Sequence, residues 1–229
     1  MNFYQRTQNI LNYIYKRKYE LLLFALIQHL FIGILLNDLV FYTKVIWPIN
    51  MLVLGIASVG VFIEKGYWKN IIQKILFLIV LALPIGLSFF GNSISYFLFL
   101  NIAYVAFFLF IFWEVLKYLI KPSYINTDIM SASACGYFLL IEISTFLLQF
   151  FVVQNPNSFK GIDSSMSAKT YIDLVYFSSI TLTSIGFGDI TPNTHYTKLI
   201  TAFFGIAGQF YSVVLVGILI SKFTSNNVK

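Results

Sequence analysis

Charge is scarce in this chain: of its 229 residues 10% are Asp, Glu, Lys or Arg, where soluble domains carry about a quarter. An ordinary water-exposed surface is thereby excluded. The single cysteine, Cys135, excludes an intrachain disulfide and leaves the redox compartment open; it reads as a packing residue in a helix. Two histidines and scattered acids offer no metal-ligand spacing, nucleophile elbow or phosphate-binding loop. No enzyme and no cofactor are expected. Internal repeats and low-complexity segments are missing too. A net charge of +6 and a pI near 9.3 could suggest nucleic acid in a soluble protein. Here the cations flank apolar runs, and no nucleic-acid partner is expected.

What the chain has is apolar length: 59% of it is hydrophobic. A hydrocarbon core of about 30 Å needs about 20 apolar residues per helix, and six runs qualify or nearly so. They are 20–36, 45–63, 71–90, 94–120, 129–153 and 196–223. The predicted fold is an all-α membrane protein with little chain left for a soluble domain. Residues 1–19 are polar and basic like the start of a secretory signal, yet no small-residue cleavage site follows Leu36 and five more spans come later, so the first span is read as uncleaved.

Within the spans, Gln28 and His29 read as packing residues that share a hydrogen bond with a neighbouring helix. Pro48 is placed near the first turn of the second span, where a missing N–H costs least. Pro84 and Gly86 are predicted to kink the third. The aromatics from Tyr96 to Trp113 in the fourth read as lipid-facing and packing mass. Ser131, Ala132, Ser133, Ala134 and Gly136 would let another helix approach the fifth closely. Glu142 looks fully intramembrane and is either a functional acid, such as a proton sensor, or a neutral carboxyl bonded to a neighbouring helix.

Charge placement gives the topology. With the N-terminus cytoplasmic, 11 of the 15 Lys and Arg residues fall inside (Arg6, Lys16, Arg17, Lys18, Lys65, Lys69, Lys74, Lys117, Lys121, Lys222, Lys229) and 4 outside (Lys44, Lys160, Lys169, Lys198). The expectation is a multi-pass cell-membrane protein with both termini cytoplasmic. Its parts are a segment at 1–19, a peripheral four-helix domain at 20–120, a linker at 121–128, a second domain at 129–223 and a tail at 224–229.

The densest motif lies between the last two spans. Thr170 and Asp173 fit an [ST]-x-x-[DE] capping box, predicting a short helix into Thr183 whose negative C-terminal end favours a cation. Next comes Thr183-Ser184-Ile185-Gly186-Phe187-Gly188-Asp189. Stripping a monovalent cation of water costs about tens of kcal/mol, so replacement oxygens must surround it. Gly186 and Gly188 can take φ > 0 in alternation with ordinary values, turning consecutive carbonyls of Ser184, Ile185, Gly186 and Phe187 one way. The Ser184 hydroxyl would add another ring of oxygens.

This run resembles the TVGYGD selectivity filter of potassium channels. From about residue 129 onward the chain resembles the two-helix pore module of that superfamily, and its six spans resemble the layout of the voltage-gated branch. The resemblance implies a re-entrant pore helix, K⁺ bound at Ser184, Ile185, Gly186 and Phe187, and a tetrameric pore, since one filter strand per chain calls for a homotetramer in lipid. An auxiliary subunit is left open. Asp189 matches the acid at the outer mouth. Tyr176 and Phe177 match the aromatic cuff without its usual tryptophan, and Phe187 lacks the hydroxyl that ties relatives' filters to the pore helix, so a loosely braced filter is expected. Gly208 falls at the relatives' gating hinge and is either a hinge or a close-packing site. Gln209, Ser212, Val216 and Ile220 form one stripe that would line the cavity.

One departure matters. Voltage sensors carry an arginine ladder in the fourth helix, each charge worth about 2.3 kcal/mol per 100 mV, and residues 94–116 contain no Lys or Arg. Ladder-type voltage sensing is not expected. The function implied is passive, K⁺-selective conduction; the alternatives are a weakly selective cation channel and, in another class, a coupled cation transporter.

Overall fold

The computed structural model describes residues 16–62, 66–90, 93–120 and 127–226. Helix α1 spans Lys18–Phe31 and tightens into a 3₁₀ turn at Ile32–Leu35. Asp38 caps the next helix, its carboxylate accepting from the Val40 and Phe41 amides at 2.9 and 3.0 Å. With that cap, α2 runs over Leu39–Phe62 and places Pro48 inside the span rather than in its first turn. A proline there has no N–H and its ring crowds the carbonyl four residues back. The chain relieves this with a π turn at Tyr42–Ile46, in which the Trp47 amide reaches back to the Tyr42 carbonyl.

Helix α3, Tyr67–Phe90, continues unbroken through Pro84. The Tyr96 hydroxyl from the following helix donates to the Leu83 carbonyl beside the proline, and Gly86 leaves the room that this ring occupies. Helix α4 is Ile94–Ile120 and α5 is Thr127–Gln154. The reversal at residues 91–92 and most of the expected linker, 121–126, lie outside the described residues. Among the described residues six helices are long and apolar enough to cross a membrane, α1 to α5 and the last.

Helix α5 is the centre of the molecule: α4 packs along it most extensively, and α1 lies against it too. Tyr104, Phe107, Phe108 and Ile111 of α4 are buried while Phe99, Leu109 and Trp113 are exposed, so the α4 aromatics divide between packing and the apolar exterior. Beyond α5 the chain folds a short helix α6, Ser167–Leu182, and the long α7, His195–Asn226, both against α5 and against each other. A two-residue ladder, β1 (Phe159–Lys160) antiparallel to β2 (Thr191–Pro192), pairs Phe159 with Pro192 and Lys160 with Thr191.

Candidate functional site: the pore loop and its supports

The start of α6 differs from the capping box expected of Thr170 and Asp173. The helix begins four residues earlier, at Ser167, and no side chain caps it. The Thr170 hydroxyl, one turn in, is satisfied by the carbonyls of Asp163 and Met166 at 3.1 and 3.2 Å. Asp173 instead accepts from the Asp163 amide at 2.8 Å, and the Asp163 carboxylate holds Lys169 at 2.8 Å and the Ser165 amide at 2.9 Å. The preceding loop thus folds back over the helix. The Lys169 bond keeps the Asp163 carboxyl well below the usual carboxylate range, while partial burial raises Asp173.

At its other end α6 uses its last carbonyls to hold the loop. The amides of Ile185 and Gly186 both donate to the Ile180 carbonyl, at 2.9 and 3.2 Å, and the Ser184 amide donates to Thr181 at 3.0 Å. The Thr183 hydroxyl donates to the Ser179 carbonyl at 2.7 Å. From there φ alternates in sign: Ser184 at +59°, Gly186 at +52° and Gly188 at +82° are left-handed. The two glycines adopt this region without strain. Ser184 is the one non-glycine residue there among those described, a feature the glycine spacing did not reveal. Its hydroxyl accepts a 2.6 Å bond from the Gln209 amide of α7, so Gln209 reaches the loop directly.

Tyr176 braces the far end, its hydroxyl donating to Asp189 Oδ2 at 2.7 Å, which lowers the Asp189 carboxyl. The site therefore has a brace even though Phe187 lacks a hydroxyl. Phe177 turns elsewhere, packing edge-on against Phe159 in a small core with Leu148, Val152 and Ile190. Gly161, at φ +86°, lets its backbone press on the Asp189 carbonyl where a methyl group would collide. Together with the β1–β2 pairing and the Asn193 amide bond to Ser158 (2.8 Å), this fixes the chain leaving the loop.

Helix α7 passes Gly208 as one continuous helix. A Cβ at Gly208 would lie 2.7 Å from the Leu182 carbonyl oxygen, so the glycine is a close-packing site where α7 crosses the end of α6. Ser212 donates to the Gly208 carbonyl at 3.0 Å. The side chains of Val216 and Ile220 lie outside the described residues. The small residues at the start of α5 receive Tyr211: its ring sits over Gly136 and its hydroxyl donates to the Ser133 carbonyl at 2.8 Å.

Two buried polar sites were not legible as pairs. Glu142 Oε1 lies 2.7 Å from His29 Nδ1, with the Tyr171 hydroxyl 3.4 Å from Oε2. Both partners were separately visible as intramembrane polar residues, which is the signal that could have joined them. Glu142 is also not the sole buried acid: Glu114 of α4 is buried between Lys69 (2.8 Å) and Lys117 (3.3 Å).

Residues 136–225, from α5 to near the end of α7, match the ion channel family. A stretch of 95 residues is 32% identical to the potassium voltage-gated channel subfamily KQT member 3 of Homo sapiens, Bos taurus and Rattus norvegicus. It covers 41% of this chain and 11% of those relatives' length. No solved structure matches the chain. The match holds the whole of the loop and its supports, and the apolar helices support a multi-pass membrane protein. The likeness to the potassium channel superfamily in its six-helix layout, first read from the motif, is borne out.

Proposed function

We propose that four copies of this chain assemble around a common axis as a channel that conducts K⁺ passively and selectively, the loop from Ser184 to Gly188 supplying the carbonyls that replace water. The observation that carries this reading is the alternation of φ at Ser184, Gly186 and Gly188, the backbone pattern by which a filter would turn successive carbonyls toward one side. The exposure of the same region supports the assembly. Ile185 and Phe187 are 56% and 71% exposed in a single chain, as side chains awaiting a neighbouring subunit would be. Leu199, Phe203, Ile206 and Phe210 leave an apolar α7 face equally uncovered. The pore loop faces the outside and both termini the cytoplasm, by the distribution of Lys and Arg.

Potassium and sodium fluxes into liposomes holding the purified protein test this, with Gly186→Ala as the dead-filter control. An alanine at φ +52° is strained, and its loss of the carbonyl ladder stops conduction. Expected is K⁺ flux well above Na⁺ flux in the parent and neither in the variant. Equal fluxes would replace the proposal with a weakly selective cation channel, and K⁺ movement only against a coupled ion gradient with a transporter.

A further inference from the structure

On the strength of that channel reading, we propose that the first four helices act on the filter through a buried proton-sharing cluster, His29, Glu142 and Tyr171, which positions the start of the pore helix. The cluster joins three elements. His29 comes from α1, Glu142 from the middle of α5 and Tyr171 from near the start of α6. His29 Nδ1 is 2.7 Å from Glu142 Oε1 and 3.1 Å from the Tyr171 hydroxyl, which also donates to Glu142 Oε2 at 3.4 Å. All three residues are fully buried. His29 Nε2 has no partner, so the polar ties of the imidazole run through Nδ1 alone. Rings of Trp47, Phe108 and Phe146 stand 6.1, 6.4 and 6.3 Å from the imidazole and wall the site with apolar surface from α2, α4 and α5.

The charge arithmetic of such a site is strict. A 2.7 Å contact between a ring nitrogen and a carboxylate oxygen needs one hydrogen between them. Whether it rests on imidazolium or on carboxylic acid, the pair is neutral overall and behaves as one titrating unit. Beyond the pair itself, the titratable groups that face the cluster are phenols: Tyr42 from α2, Tyr104 from α4 and Tyr171 from α6, while α1 and α5 contribute His29 and Glu142. No lysine or arginine pairs with Glu142 among the described residues. A second proton, taken from water, leaves imidazolium beside a neutral acid and a full positive charge with no counter-charge. Uncompensated charge in an apolar site costs several kcal/mol, so this form recruits water and separates α1 from α6.

That separation reaches the filter along a short path. Tyr171 is on the same rigid helix whose Ile180 carbonyl holds the amides of Ile185 and Gly186. Loosening the start of α6 changes the angle at which its end presents that carbonyl. The three residues touch no ion and are positioning residues. Acidification therefore lowers conduction, through the four-helix domain's grip on α6.

The test is K⁺ flux into liposomes holding the full chain, compared from about pH 7.5 to about pH 5.5. Expected is a severalfold fall in the parent. The double variant His29→Gln/Glu142→Gln keeps a hydrogen-bonding pair without a titrating proton and is expected to conduct at a level flat with pH. The exchange His29→Glu/Glu142→His restores the dependence. Other groups are separated by control variants: His195→Gln, exposed at the start of α7, and Asp173→Asn each leave the fall intact. Asp163 and Asp189 stay ionised in this window, because Lys169 and Tyr176 hold them below the ordinary range. A parent flux independent of pH overturns the proposal even if no variant folds, as does a fall that survives in the amide pair. A parent with no K⁺ flux at any pH, indistinguishable from Gly186→Ala, instead sinks the channel reading on which this one stands.

Discussion

The two halves of the chain use their polar groups differently. Among the described residues of α1 to α4, these groups mostly meet one another across helices: Gln28 with Asn50, Trp47 with Tyr104, Gln73 with Ser58, Lys69 with Glu114. Past α5 they mostly meet backbone: Thr183 on Ser179, Thr197 on Ser158, Tyr211 on Ser133, and the loop amides on Ile180. The reason lies in what each half has to hold. A helix satisfies its own backbone, so side chains are free to register one helix against the next. Irregular chain at membrane depth survives only where other groups satisfy its exposed amides and carbonyls. The first half is a bundle tuned by side-chain pairs, and the second is a scaffold around a stretch of chain that is neither helix nor sheet.

The difference can be broken from either side, and the largest effect is expected where a glycine faces backbone. A Cβ at Gly208 meets the Leu182 carbonyl, which cannot move without moving the end of α6, so Gly208→Val is expected to cost about 1–3 kcal/mol and to abolish conduction. The atoms nearest to a Cβ at Gly55 of α2 belong to the Phe77 ring, and Gly55→Ala is expected to be milder because a side chain can swing aside where backbone cannot. Thermal unfolding in detergent, run on both variants, compares them; a larger loss at Gly55 would erase the contrast.

Next in size is the outer brace. Tyr176→Phe removes the bond to Asp189, a charge-assisted contact that solvent weakens at this exposed site. The predicted result is faster decay of K⁺ current during prolonged opening. Phe187→Tyr, which adds a hydroxyl, is expected to slow that decay, and identical decay in parent and variant would refute the idea of a filter short of bracing. Acid acts on the brace only at low pH. The Asp189 carboxyl is depressed, so the contribution of the bond is complete above the ordinary carboxylate range and is lost as pH falls through the lowered value. Current decay that accelerates already near neutrality would contradict that sign.

Smallest are the side-chain pairs of the first half. Trp47→Phe deletes the donor to the Tyr104 hydroxyl, and interhelical bonds of this kind average about 0.6 kcal/mol in membrane proteins. A shift in unfolding temperature near the limit of detection is expected, with conduction unchanged. A large loss of flux would mean that Trp47, which also walls the His29 site, acts on the pore rather than on the bundle.

Much of this was legible in the sequence because it depends on local pattern. Span lengths follow from apolar runs, and residues 94–120 were bounded as the structure bounds them. Gly186 and Gly188 announced their left-handed backbone. The misses share a different cause: distance along the chain. Thr170 and Asp173 have the letters of a cap, but the loop at Asp163 folds back and takes the carboxylate first. Pro48 looked like a first-turn proline because the cap that lengthens its helix, Asp38, sits a full ten residues upstream. Ser184 carries no mark of a positive φ, since its backbone is set by bonds to α6 and to Gln209. His29 and Glu142 are 113 residues apart, and no periodicity joins them.

The bonds from His29 to Glu142 and Tyr171, which tie α1 to α5 and α6, are made within one polypeptide. In the proposed ring of four, each quarter of the path would then answer to the His29–Glu142 pair of its own chain. Mixed rings built from parent and altered chains should show graded conduction that steps with the number of altered copies, instead of an all-or-nothing response.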